Sequence, residues 1–222
     1  MKEKLHWISG SPNSWRVLLL LEYKNIAFES LRIDPSVWKR EESGFLALNR
    51  RGKVPVLEDG DLVLCESLAI MQYLDKKYPA DKLFGSSARE IGLISQRISE
   101  VVHYIAEPMY LLSRHLMKGI LHESLENNQN TADTIYSELS KVEQWLEEGN
   151  YFNGEKLAAS DLYFYPIIAF LERISSIKEE SKLINLKFLP LSEKLPKIKA
   201  WMQRIEEIPR FTKTIPPHWR GE

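Results

Sequence analysis

The chain has one cysteine, Cys65, among its 222 residues. A lone thiol excludes an internal disulfide and a cysteine-based zinc cluster, and it is what a reducing compartment permits, so a cytoplasmic protein is expected. Long apolar runs are also lacking. The longest, Val17 to Leu21, falls far short of the roughly 20 residues that span a bilayer, and Met1 to Trp7 has no secretory apolar stretch, so neither insertion nor export is expected. There is no excess of either charge. The 30 Lys and Arg against 31 Asp and Glu leave a net charge of -1, which supplies no global field toward nucleic acid or an anionic membrane. Repeats and low-complexity tracts are missing too. With 44% hydrophobic and 27% charged residues, the chain lies in the soluble globular range, and its length suits two modest domains.

The first part of the chain reads as strand, helix, strand, helix, hairpin, helix. Leu5 to Ile8 is a short apolar strand, Ser9 to Asn13 a turn, and Ser14 to Lys24 a helix buried on most of its circumference. Asn25 suits a left-handed cap, and Ile26 to Ile33 supplies a second strand that a buried crossover would set parallel to the first. A weaker helix is expected over Val37 to Leu48. Val54 to Leu57 and Leu62 to Cys65 flank an Asp-Gly turn and predict an antiparallel hairpin. A helix then opens at Glu66-Ser67 and ends at Lys76-Lys77-Tyr78-Pro79.

Pro79 to Ser87 reads as a linker, and Ser87 with Glu90 makes a capping box. Beyond it every apolar period is helical, as in Ile91, Ile94, Ile98, Val101 and Ile105. Pro108 is expected to kink the first of these helices, Leu125 to Asn130 to form a polar connection, and Leu162 to Ile174 to be a central helix. Ile198, Trp201, Ile205 and Ile208 mark a last amphipathic helix, followed by an aperiodic tail from Thr212. The predicted fold is an α/β domain over 1–79 and an all-α helical bundle over 88–222.

Three places carry chemistry. Ser11-Pro12-Asn13-Ser14 sits where a strand ends and a buried helix begins, so free N–H groups and the positive end of the dipole would stabilise an anion such as a thiolate. The same residues also make a plain helix cap. Val54-Pro55 interrupts a strand, which fits either an edge or a cis peptide whose free Val54 groups could hold an extended peptide. At Glu66-Ser67 the hydroxyl and first N–H groups suit a carboxylate and Glu66 an ammonium, together an amino-acid zwitterion; a simple cap is again the alternative.

The runs Ser11-Pro12-Asn13-Ser14-Trp15-Arg16-Val17, Asn49-Arg50-Arg51-Gly52-Lys53-Val54-Pro55-Val56-Leu57 and Glu66-Ser67-Leu68-Ala69-Ile70 together resemble the N-terminal half of cytosolic glutathione transferases, nearest the serine-containing tau, zeta, phi and theta classes. The resemblance implies a thioredoxin-like domain followed by an all-helical one. It also implies that Ser11 hydrogen-bonds the glutathione sulfur, that Lys53 lies near the glycyl carboxylate, that Val54 clamps the cysteinyl unit before cis Pro55, and that Glu66 and Ser67 hold the γ-glutamyl end. Ser14, one turn on, could add a second hydroxyl. Glutathione would be a co-substrate, with no metal or organic cofactor, and its thiolate would attack a small hydrophobic electrophile. A homodimer is implied, with neither a nucleic-acid nor a membrane partner.

Some residues depart from that pattern. Pro12 and Asn13 replace the Ser-Cys that follows the serine in the zeta class, and Ser11 stands where omega-type members carry cysteine, which weighs against isomerase and disulfide-exchange chemistry. Ala158, before Ser160-Asp161, replaces the usual capping serine or threonine, at an expected cost of about 1 kcal/mol unless Ser160 or water substitutes. Cys65 reads as a packing thiol, and His115 with His122 lacks a third metal ligand. His103, Tyr104, Tyr110 and His115 lie on the helix that borders the electrophile pocket in the resembling family. The other readings are a non-catalytic binding or regulatory protein on this fold, and a glutathione-dependent isomerase or dehalogenase.

Overall fold

The computed structural model describes residues 2–36 and 44–220. Contacts divide them into two compact units, Met1–Lys82 with Glu207–Glu222, and Leu83–Glu206. The tail, expected to belong with the helices of 88–222, therefore groups with the first unit. The cause is Trp15, whose indole N–H donates to Thr214 Oγ1 at 2.9 Å and whose ring packs against Phe211 and Trp219.

In the first unit β1 (Glu3–Trp7), α1 (Pro12–Tyr23) and β2 (Phe28–Arg32) form a parallel crossover, with Glu3 opposite Phe28 and Trp7 opposite Arg32. Val17 to Leu21 make α1 a buried rod, and Asn25 ends it at φ 53, where its short polar side chain tolerates the left-handed region. Of the expected helix over Val37 to Leu48 only α2 (Phe45–Leu48) falls within the described residues, and Val37 to Ser43 lies outside them. β3 (Val56–Asp59) and β4 (Leu62–Cys65) pair antiparallel through a two-residue turn, Gly60-Asp61, with Gly60 at φ 64. The strand order is β2-β1-β3-β4. α3 (Ser67–Lys77) packs Ile70, Met71 and Leu74 inward.

Two lysines tie this unit together. Lys24 Nζ donates to the carbonyls of Tyr78 (2.9 Å), Ala80 (2.5 Å) and Asp81 (3.0 Å) and pairs with Asp75 at 2.8 Å, joining the C-terminal ends of α1 and α3. Lys77 bridges Glu3 and Asp59 across the sheet. Burial alone would raise the Glu3 carboxyl, but the hydrogen bonds from Lys77 and Tyr78 outweigh it and hold the group below the usual carboxylate range.

The second unit is helical apart from an isolated bridge between Tyr151 and Gly154. α4 (Ala88–Glu100) starts with the expected box, Ser87 Oγ accepting from the Glu90 N–H while Glu90 accepts from Ser87. The irregularity expected at Pro108 is a π-helical turn, Val101–Ala106, between α4 and α5 (Glu107–Lys118). Proline cannot donate into the ladder, and the widened turn just before it absorbs the defect.

The polar connection expected at Leu125 to Asn130 is instead the first part of α6 (Leu125–Trp145). Two of its polar side chains have protein partners: buried Asn128 accepts from His115 Nδ1 at 2.6 Å and donates to the Leu121 carbonyl at 2.8 Å, and Gln129 bonds both ways with the Asn185 backbone. The central helix is α7 (Ala159–Ile177). Asp161, fully buried, accepts the N–H groups of Phe152 and Ala158 and the Trp201 indole. Burial lifts its carboxyl to about 6, while those three donors favour the charged form. Ser160 does not make up for the missing hydroxyl at Ala158, because it donates to Asn153; the Ala159 N–H finds the Leu83 carbonyl at 2.8 Å. After α8 (Leu191–Lys194), α9 (Pro196–Glu206) seats Trp201 among Phe152 and Phe164. Among the described residues no helix is long and apolar enough to cross a membrane.

The Lys24 knot gives a direct test. Lys24→Met removes the charge paired with the buried Asp75 and the donor shared by three carbonyls, so it should cost about 3 kcal/mol and lower Tm by about 6 °C or more. A thermal melt within about 2 °C of wild type would rule the knot out as a stabilising feature.

Candidate active site

β3 is antiparallel to both of its neighbours. Val56 at its start lies opposite His6 near the end of β1 and opposite Cys65 at the end of β4. The residues just beyond these strand ends therefore gather at one end of the sheet, all within the first unit. They are the Ser9-Gly10-Ser11 turn, Val54-Pro55 and Glu66-Ser67.

Ser11 is the N-cap of α1, and its Oγ accepts the Ser14 N–H at 3.3 Å. That bond uses a lone pair and leaves the hydroxyl proton able to donate outward. Ser14 is completely buried, and its hydroxyl has no hydrogen-bond partner among the described residues. Pro12 occupies the first turn of the helix, where its lack of an N–H costs nothing.

The Val54–Pro55 peptide is cis. β3 starts at Val56, two residues later than expected, so Val54 stays outside the ladder, and among the described residues no hydrogen bond engages its N–H or carbonyl. Asn49 shapes the approach to it. The Asn49 side chain donates to the Lys53 carbonyl at 2.7 Å and accepts the Arg51 N–H at 3.0 Å, folding 49–53 into a compact loop. Lys53 itself is exposed, and its ammonium makes no contact with an acidic group of the described residues.

Glu66 has φ 68 and ψ 116, a conformation disfavoured for any residue with a Cβ. Its carboxylate has no protein partner among the described residues. Ser67 begins α3, and Arg16 Nη1 approaches its Oγ at 3.4 Å. Arg16 is 1% exposed, a guanidinium set inside the otherwise apolar α1 and linking the first turns of the two helices.

Asn49 and Arg16 are the residues to which the sequence reading assigned no role. The signal for Arg16 was available: a single cation in a helix that is apolar on nearly every side has to be paired.

This end of the sheet thus carries two helix N-termini, the exposed cations Arg50, Arg51 and Lys53, and one unpartnered carboxylate, Glu66. That distribution matches an extended, net anionic ligand bearing one ammonium group. Cys65 is no rival nucleophile. Burial and then the neighbouring Glu66 carboxylate push its thiol up, and it donates weakly to the Leu48 carbonyl at 3.8 Å. His103, Tyr104, Tyr110 and His115 lie in the second unit. Among the described residues no group of three or more His, Cys, Asp or Glu side chains could hold a metal ion.

Residues 5–82 match the glutathione S-transferase N-terminal domain and residues 103–209 the glutathione S-transferase C-terminal domain. A glutathione S-transferase 1 of Dianthus caryophyllus is 30% identical over 75% of this chain and 76% of its own length. The chain belongs to the glutathione S-transferase family. A second relative of this transferase, glutathione S-transferase A of Pleuronectes platessa, is 26% identical over 97% of the chain and 92% of its own. A crystal structure of a glutathione S-transferase from the Antarctic clam Laternula elliptica superposes on all of the chain and 95% of its own, with 29% identity and a TM-score of 0.83.

The Glu66 backbone yields a second prediction. A side chain held at this φ and ψ stores about 1–3 kcal/mol, which glycine would release. Glu66→Gly in this transferase should therefore melt no lower than wild type while weakening ligand binding. A lower melting temperature would show that the conformation is not strained.

Proposed function

We propose that this glutathione transferase binds glutathione as an added strand against Val54, the γ-glutamyl end at Glu66 and Ser67 and the glycyl carboxylate near Lys53. The sulfur then lies beside Ser11. One observation carries the reading: the Ser11 Oγ accepts from Ser14, which leaves its own proton free to donate to whatever occupies the turn. A cysteinyl thiol has a free pKa of about 8.5. A donated O–H and the positive end of α1 both favour its anion, raising the thiolate fraction at neutral pH.

The thiol proton leaves to solvent. The sulfur lone pair then forms a carbon–sulfur bond to a small hydrophobic electrophile, and the leaving group departs with its bonding electrons, or the new carbanion takes up a proton. Orientation supplies the rest of the rate, because the tripeptide is anchored at both ends and at its centre. Glu66 meets the γ-glutamyl ammonium, and the Val54 N–H and carbonyl, unused by the sheet, serve the cysteinyl amide.

Two further features complete the proposal. The chain pairs as a homodimer, a reading consistent with the exposed Ile91 and Leu93 on α4. Its single free thiol is consistent with a cytoplasmic setting.

Ser11→Ala should lower conjugation of a model electrophile by about tenfold or more. It should also cost about 1 kcal/mol, because the cap on α1 goes with the hydroxyl. Ser11→Thr, which keeps the hydroxyl, should retain both properties. Unchanged turnover in the alanine variant would reject Ser11 as the sulfur's donor. For the assembly, sedimentation should give twice the 25.9 kDa chain mass, and a stable single-chain species would reject the dimer.

A further inference from the structure

The turn that presents Ser11 is braced by the far end of the same chain. Ser9 Oγ and His218 Nδ1 share a hydrogen bond at 2.9 Å. The imidazole is so close to the next residue that a Cβ on Gly10 would come within 2.9 Å of His218 Cε1 and 3.2 Å of Nε2. Gly10 is therefore required twice, by its φ of +83 and by the ring above it. One helical turn further on, Trp15 donates to Thr214 and meets the Trp219 ring edge-on, with centroids 5.1 Å apart. Thr214 in turn donates to the Phe211 carbonyl at 2.8 Å. The tail thus grips the chain on both sides of Ser11, at Ser9-Gly10 and at Trp15.

The tail is itself built to hold that ring in place. Pro216 and Pro217 restrict the backbone, and the short turn Pro217–Trp219 closes with the Trp219 N–H on the Pro216 carbonyl at 2.8 Å and the Arg220 N–H on the Pro217 carbonyl at 2.9 Å. The Ser9-Gly10-Ser11 turn itself is closed by the Ser11 N–H on the Ile8 carbonyl at 3.2 Å, a long bond. A hydroxyl that must sit within hydrogen-bond reach of a sulfur cannot tolerate drift, since a misplacement of about 1 Å at a reacting centre costs on the order of a hundredfold.

We propose that His218 is a positioning residue for the thiolate site. Through Ser9 and Gly10 it holds the turn that aims the Ser11 hydroxyl, so the Pro217–Trp219 turn is part of the sulfur-activating machinery. The inference rests on the reading of Ser11 given above. It predicts a defect in thiolate formation rather than in capture of the tripeptide, whose anchors at Val54, Glu66 and Ser67 do not touch His218.

The test uses the full chain with saturating glutathione, reading the ultraviolet thiolate band at neutral pH together with steady-state conjugation. His218→Ala should reduce the band per bound glutathione and lower kcat by about fivefold to tenfold, with the glutathione KM within about twofold of wild type. His218→Asn, whose amide can meet Ser9 much as Nδ1 does, should recover most of the loss. Ser9→Ala, which removes the same hydrogen bond without altering the tail, should repeat the His218→Ala defect and add little to it in the double variant. A wild-type band and kcat in His218→Ala would overturn the inference and leave the Ser11 reading standing, as would a loss that His218→Asn does not recover. A wild-type protein with no thiolate band would overturn both.

Discussion

Everything at the proposed site depends on β3 running antiparallel to both β1 and β4. Because Val56 faces His6 on one side and Cys65 on the other, the chain leaves β1 and β4 at the same end of the sheet and enters β3 there. Two helices start at that end, and each offers N–H groups that its own ladder cannot use. A parallel β3, or a register displaced by several residues, would separate Ser11, Val54 and Glu66-Ser67 even with every residue unchanged. Fold and chemistry meet in that one register.

The charges at this end of the sheet match the extended anion with a cationic end proposed for it. Arg16 is buried and Lys53 is at the rim, while Glu66 is the acidic exception, kept in a costly backbone conformation beside the first turn of α3. Strain of this kind persists only where the surroundings over-determine it. Here β4 fixes Glu66 from one side and α3 from the other. The rest of the first unit is stiffened by the Lys24 and Lys77 knots, which lie away from the end of the sheet proposed to take the ligand.

The second unit follows a different logic. Its stability is organised by a fully buried carboxylate, Asp161, which satisfies two backbone N–H groups and the Trp201 indole at once. Stacked rings of Phe152, Phe164 and Trp201 surround it. Without a capping hydroxyl at Ala158, the Asp161 N–H that such a hydroxyl would take turns to the Ala158 carbonyl at 3.1 Å, and the Ala159 N–H is taken up by the Leu83 carbonyl. The π turn before Pro108 is a second local defect contained by helical packing on both sides.

Periodicity and turn chemistry determined the strand, helix and hairpin order of the first unit, the Ser87-Glu90 start of the second, the all-helical character beyond it, and the serine, proline and glutamate positions at which a ligand site could lie. These are local properties, written in spacings of two to four residues. Only the tertiary structure decided the rest. Leu125 to Asn130 looks like a loop because Asn and Gln usually seek water, yet His115 and the Leu121 carbonyl bond Asn128, Asn185 bonds Gln129, and the segment is helix. Arg16 acquires its partner Ser67 across more than fifty residues, and the aperiodic tail gains its place from Trp15 and Ser9 some two hundred residues away. No short window of sequence contains such pairings, because what stabilises them is burial and hydrogen bonding between groups that come together only when the chain has folded.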